Sequence, residues 1–245
     1  MAAPRAWAVV AGVGPGTGAS VARKFAQSYS VALLARKAEN YEPVVNEINN
    51  GGGQAIGIST DVADENSVKN AFKVLQEHLG QGKLAAAIFN VGGKFVRKGF
   101  MELSLEDFES GWEANGRGAF LFSQAALPLL QDAVAASNHP PTLIFTSATA
   151  AMKGSARCAA FATGKFAMRA LAQSLAREFG PAGIHVNHAI IDGVIDIERT
   201  KHYQFDHEDA KIKPEAIADT YWWIHTQPRT CFTNEIDIRP YVEKW

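Results

Sequence analysis

A run of seven residues near the start of the chain, Gly12-Val13-Gly14-Pro15-Gly16-Thr17-Gly18, constrains the fold more than any other feature. It follows an apolar stretch, Trp7-Ala8-Val9-Val10-Ala11, and opens directly into a helical pattern. Glycine lets the backbone approach a pyrophosphate closely, and a helix that begins there turns unfilled N–H groups and its positive dipole end toward the anion. Strand, glycine-rich turn and helix in that order predict a dinucleotide site in which Gly12, Gly16, Thr17 and Gly18 meet the phosphates.

The rest of the chain repeats the alternation. Strand patterns fall at 7–11, 31–35, 55–59, 84–90, 142–146 and 184–191, most of them apolar throughout, as parallel strands covered on both faces should be. Helical patterns fall at 17–27, 41–50, 65–79, 105–131 with interruptions, and 163–179, where Gly180-Pro181 is a stop signal. This order predicts an α/β fold, a Rossmann-type doubly wound parallel sheet with helices on both faces. With no repeat, linker or low-complexity tract, residues 1–245 read as a single domain. From Asp192 the pattern dissolves into a polar, His-rich stretch, before a helix at 216–225 and a last strand near 235–238. A long irregular segment inside a compact domain points to a substrate lid, at about 192–225.

Composition excludes several classes. A net charge of -1 with both signs interspersed leaves no polyanion footprint, so neither nucleic acid nor an acidic membrane is an expected partner. No stretch approaches the ~20 apolar residues of a membrane span, and the apolar run at 7–11 is too short and glycine-broken for a signal segment. Cys158 and Cys231, far apart and outside any C-x-x-C pair, fit a reduced cytoplasmic protein with no metal site.

The glycine run resembles the T-G-x-x-x-G-x-G fingerprint of the short-chain dehydrogenase/reductase family, with Ala11 on its Thr and Gly12, Gly16 and Gly18 on its glycines. Further motifs of that family follow in order. Asp61-Val62 falls after the third strand, where the family's Asp contacts the adenine, and Asn90-Val91-Gly92-Gly93 is similar to its N-N-A-G. Asn115-Gly116-Arg117-Gly118-Ala119-Phe120 matches N-x-x-G-x-F, and Val186-Asn187 and Asp192-Gly193 resemble the V-N and P-G elements. The resemblance, which spans residue 7 to about 197, implies an oxidoreductase that binds a nicotinamide cofactor through Gly12, Gly16, Thr17, Gly18, Asp61, Val62, Asn90, Lys165 and Gly193.

The end of the second strand selects the cofactor. An NAD-binding relative would place an Asp there to accept from the ribose hydroxyl, whereas Ala35 is followed by Arg36-Lys37. A guanidinium holds a 2'-phosphate bidentately, so Arg36 points to NADP(H).

The resemblance also assigns a reaction centre. Ser147 falls on the Ser that polarises the substrate carbonyl, Lys165 on the Lys that holds the nicotinamide ribose, and Asn115 on the Asn of the water relay. The proton-donating Tyr falls on Phe161, in Phe161-Ala162-Thr163-Gly164-Lys165, and the long interval from Ser147 leaves Thr149 as a second choice for the polarising hydroxyl. A placed general acid contributes about 10²- to 10⁴-fold, and Phe supplies none. The expected function is an atypical NADPH-dependent oxidoreductase that reduces a C=N or activated C=C of a small molecule. A proton from elsewhere is the second explanation, with Tyr203, His202, His188 and Cys158 as donors to weigh against lid packing or core roles. Asp192 and Asp196 could pair beside the nicotinamide, and an apolar pocket would raise such a carboxyl; Ile197 stands where a Thr often bonds the carboxamide. The alternatives are a redox-silent isomerase, dehydratase or cyclase, and a non-catalytic nucleotide-binding subunit.

The helices matching 111–131 and 163–179 form a four-helix interface in many relatives, which implies a homo-dimer or homo-tetramer. Met168, Leu171 and Leu175 make an apolar stripe on the second of them, which core packing would also explain. Trp222, Trp223 and Trp245 show only that aromatic surface is at hand.

Overall fold

The computed structural model describes residues 6–243; Trp245 lies outside them. Seven strands are β1 (Trp7–Ala11), β2 (Ser30–Ala35), β3 (Ala55–Ser59), β4 (Leu84–Phe89), β5 (Thr142–Ala148), β6 (His185–Ile191) and, last in the chain, β9 (Glu235–Ile238). They form one sheet in the order β3-β2-β1-β4-β5-β6-β9, and every pairing is parallel. Two-residue strands β7 (Val194–Ile195) and β8 (Lys211–Ile212) form a separate parallel ladder. The strand order reverses between β1 and β4, which opens a crevice at their carboxyl ends, where open α/β sheets bind ligands.

The helices are α1 (Thr17–Ala26), α2 (Glu42–Asn50), α3 (Glu65–Leu79), α4 (Leu105–Trp112), α5 (Gly118–Ala133), α6 (Ala159–Phe179) and α7 (Pro214–His225). Because side chains alternate along a strand, the buried strands divide into two apolar layers. Val9, Phe89, Leu143 and Phe145 face one layer with α3, α5 and α6. Val10, Ile88, Ile144 and Ala189 face the other with α1, α2 and α7. Among the described residues no helix is long and apolar enough to cross a membrane.

Two boundaries differ from the sequence reading. The segment at 105–131 is two helices joined by a π-helical turn, Glu113–Arg117. Helix α6 begins four residues before Thr163, at Ala159, after Cys158 and with no side-chain cap. Within the segment drawn as a lid at about 192–225, Ile217, Ala218, Tyr221 and Ile224 of α7 are buried, so 214–225 packs in the core layer, while 192–213 holds only short turns and the β7–β8 ladder.

Candidate active site

The glycine turn is built by close approach. Gly12 has φ +82°, and a Cβ there would stand 2.5 Å from the carbonyl oxygen of Asn90. The Asn90 Nδ2 donates to that glycine's own oxygen at 3.0 Å, and the Asn90 N–H to Ala11 at 2.9 Å. Asn90 thus ties the ends of β1 and β4 together under the turn. Helix α1 carries neither a side-chain N-cap nor an acidic residue in its first turn, so its positive end faces the crevice unanswered. A Cβ on Gly14 would meet nothing within 4 Å. The turn therefore fits a pyrophosphate.

The other nucleotide candidates sit around it. Arg36 is exposed just past β2, whose Leu34 oxygen accepts from Gly12 and Val13 at 2.9 and 3.1 Å; Lys37 pairs with Glu39 at 3.3 Å. Asp61 is exposed and accepts from the Ala63 N–H, while Val62 is buried against Gly118. Gly193 packs under Pro240 and Ile212. Ile197 lies against Gly16, so the irregular segment reaches the glycine turn, and the Thr200 hydroxyl there is spent on the backbone of Ile195 and Ile197.

A second centre lies at the ends of β4, β5 and α6. Ser147 is buried on β5, and its Oγ has no hydrogen-bond partner among the described residues. The π-helical turn buries Asn115, whose Nδ2 donates to Gly111 at 3.0 Å and whose Oδ1 is unpartnered. Such turns are frequent where a helix must aim a functional side chain. Lys165 is buried with no carboxylate partner among the described residues, and its Nζ donates to the Thr146 carbonyl at 3.3 Å. Burial lowers its ammonium to about 8. The Phe161 ring lies 5.8 Å from that Nζ, and Phe95 meets it edge-on at 5.1 Å.

What joins these elements is a glycine crossing. A Cβ on Gly111 would stand 2.1 Å from the Ala160 oxygen, and one on Gly164 would stand 2.1 Å from the Gly111 oxygen. Helices α4 and α6 therefore meet backbone to backbone, bringing Asn115 to the face that carries Phe161 and Lys165. The sequence reading missed both glycines, although an isolated Gly inside a helical pattern is itself a sign of close packing.

The alternative donors are placed differently: His188 is close enough to Lys165 to feel its charge, and Cys158 precedes α6 one turn before Phe161. Tyr203 and His202 are exposed and stack on each other at 4.2 Å. His188 is buried with Nδ1 on Glu235 at 3.1 Å, and burial lowers it to about 4. Cys158 is half-buried. Thr149 donates to Asp192, and Arg239 pairs with the same carboxylate at 2.8 Å, so Thr149 is committed where Ser147 is not. Asp196 sits beside Lys211 at 4.0 Å, so each of the two Asp residues has a cation as neighbour.

Among the described residues no tyrosine hydroxyl is hydrogen-bonded to Ser147 or Lys165. Tyr29 bonds His225, Tyr41 bonds Ser59, Tyr241 bonds His207, and Tyr203 lies in the outer hollow of about 300 Å³ lined by Asp196, Phe205 and Lys213. Tyr221 is buried and bonds the Thr146 Oγ1 at 2.7 Å, on the face of β5 opposite Ser147. A second hollow, about 600 Å³, lies on the outer face of α5 and α6 among Trp112, Phe120, Leu121 and Leu171.

The short chain dehydrogenase family model matches residues 6–207. A short-chain dehydrogenase from Rhodopseudomonas palustris superposes with a TM-score of 0.80 at 33% identity, over 96% of this chain and 99% of that one. An alcohol dehydrogenase from the archaeon Thermococcus sibiricus, complexed with 5-hydroxy-NADP, shares the fold with a TM-score of 0.84 at 22% identity over 98% of each chain. An uncharacterized oxidoreductase of Staphylococcus epidermidis is 26% identical over 234 residues, 95% of this chain and 96% of its own length.

Proposed function

Because the chain belongs to the short-chain dehydrogenase family, we propose that it is an NADPH-dependent oxidoreductase whose acceptor is a C=N or an activated C=C of a small molecule rather than a simple ketone. The observation that carries this reading is that no tyrosine hydroxyl among the described residues bonds Ser147 or Lys165, while the Phe161 ring lies beside the lysine. An iminium carbon is already cationic and takes hydride without prior protonation. A polarised alkene takes its proton from water afterwards. Neither needs the phenol.

The cofactor, when bound, supplies the hydride. The chain's own residues do the rest. Gly12, Gly16, Thr17 and Gly18, over Asn90, would hold the pyrophosphate of the cofactor; Asp61 and Val62 would meet its adenine, and Gly193 would support the binding of its nicotinamide end. Arg36 is the cation for the 2'-phosphate, and a complex of the archaeal relative with an NADP derivative supports that choice. Lys165 donates to the ribose, Ser147 donates to the polar end of the substrate, and Asn115 holds a water through its unpartnered Oδ1. Phe161 and Phe95 form an apolar wall against the reacting carbon. Residues 192–213, which reach Gly16 through Ile197, act as the lid. The half-exposed Trp112 at the end of α4, Phe120 of α5 and Phe166 of α6 serve contact with a second copy. A cytoplasmic, homo-oligomeric enzyme follows from this reading.

The test is NADPH oxidation with a cyclic imine, an enone and a simple ketone in parallel. The imine or enone turns over and the ketone does not. Equal turnover of all three overturns the acceptor preference. Turnover that is unchanged when NADP+ replaces NADPH shows redox-silent chemistry.

A further inference from the structure

The loops that bracket the Phe95–Phe161 pair are strongly and one-sidedly charged. Residues 91–101, after β4, carry Lys94, Arg97 and Lys98 and no carboxylate. Residues 148–158, between β5 and α6, carry Lys153 and Arg157 and again no carboxylate. In a chain whose net charge is -1, five cations on two loops at one rim are a local concentration that the whole-chain balance hides. The two loops are fastened together: the Lys98 N–H donates to the Arg157 oxygen at 3.0 Å, and Phe95 meets Phe161 one helical turn beyond.

Few carboxylates answer these charges. Buried Asp107, at the start of α4, takes Lys98 at 2.5 Å and Lys94 at 3.4 Å, and the Lys98 hydrogen bond, with Lys94 beside it, holds its carboxyl down at about 2. Glu102 accepts from the Gly99 N–H. Arg97, Lys153 and Arg157 are exposed and have no carboxylate partner among the described residues.

Arg157 adds an independent sign. Its φ of 68° makes it the one non-glycine residue in the left-handed region among the described residues. A glycine or asparagine would sit there with less strain, and strain retained beside a candidate site is a pointer to function. Its backbone oxygen holds the Lys98 loop, and its guanidinium is left for another anion.

We propose that Arg97, Arg157 and Lys153 form an anion subsite, so that the substrate of the proposed reaction is a small molecule with its reacting carbon on the Phe95–Phe161 wall and a carboxylate or phosphate at its far end. A guanidinium fork suits either group, and a cleft lined with one sign of charge concentrates such molecules near its mouth. The two loops flank the Phe95–Phe161 pair in a chain whose net charge is -1, which favours a small molecule over a polyanion.

This inference rests on the acceptor site described above, so its test reads binding without turnover. The protein is saturated with NADP+, which cannot reduce the probe, and titrated calorimetrically with benzylideneacetone, its para-carboxylate and its para-phosphonate. The anionic probes bind about tenfold tighter than the neutral one or better, the stronger of the two identifies the anion, and the ratio shrinks as salt is raised. In Arg97→Ala/Arg157→Gly the ratio falls to about one, and the Arg157→Gly chain melts no lower than the parent because its φ is relieved. Equal affinities in the parent, or a ratio that survives the double substitution, overturn the subsite. Either result leaves hydride transfer untouched, whereas absence of turnover with imines and enones would leave the affinity ratio standing.

Discussion

At the level of one side chain, the proposed cofactor preference rests on Arg36, since its neighbour Lys37 is engaged with Glu39. Arg36→Ala should weaken NADPH about tenfold or more, the worth of a charge-assisted hydrogen bond, and leave NADH unchanged; fluorescence titration with both nucleotides checks it, and equal loss for the two would remove the assignment. Ser147, Asn115 and Lys165 could be nominated from the sequence because motif order survives without coordinates, and the fold buries all three. Their partners could not be. The choice between Ser147 and Thr149 depended on Asp192, forty-three residues away, which takes the Thr149 hydroxyl while Arg239 holds its other oxygen. That ion pair with Arg239 was hidden too, because a long-range contact leaves no local pattern.

Among elements, the crossing of α4 and α6 positions the proposed chemistry. Gly164→Ala would drive a Cβ to 2.1 Å from the Gly111 oxygen, with backbone on both sides unable to give. Overpacking of this kind costs about 1–3 kcal/mol, and the shift of α6 should cut turnover as well; a urea melt and an assay of the same variant test both, and an unchanged melt would mean that the helices separate freely. The strands were legible since buried parallel strands read as unbroken apolar runs, and β1, β3 and β9 lie where the pattern put them. Two helical features were not. Helix α6 starts without the side-chain cap that marks a beginning, which drew the eye to Thr163, and the π-helical turn at Glu113–Arg117 has no periodicity of its own. Helix α7 was drawn inside the lid because its polar face continues the polar stretch before it, although Pro214 at its first turn was a start signal.

Across the whole molecule, buried histidines set the acid limit of the fold. Burial lowers His188 to about 4, and burial first, with His139 and His185 adding, lowers His225 to about 3. The unfolded chain therefore binds more protons than the folded one between the ordinary histidine value of 6.5 and those lower values, so stability falls as pH drops through that window. A loss of up to about 2 kcal/mol per histidine is expected between about pH 7 and about pH 5, read as a falling urea midpoint; a flat midpoint would show that these imidazoles are not held neutral. The charge asymmetry of the two rim loops was equally a whole-molecule property, invisible while charges were counted over 245 residues and plain once the fold brought 91–101 and 148–158 together. The central claim, that the centre is complete apart from one missing hydroxyl at Phe161, is tested most directly by restoring that hydroxyl. Phe161→Tyr should bring simple ketone reduction with NADPH up by about 10²- to 10⁴-fold while leaving the melting curve and NADPH affinity in place; a variant that folds and binds NADPH like its parent yet reduces no ketone would contradict the account.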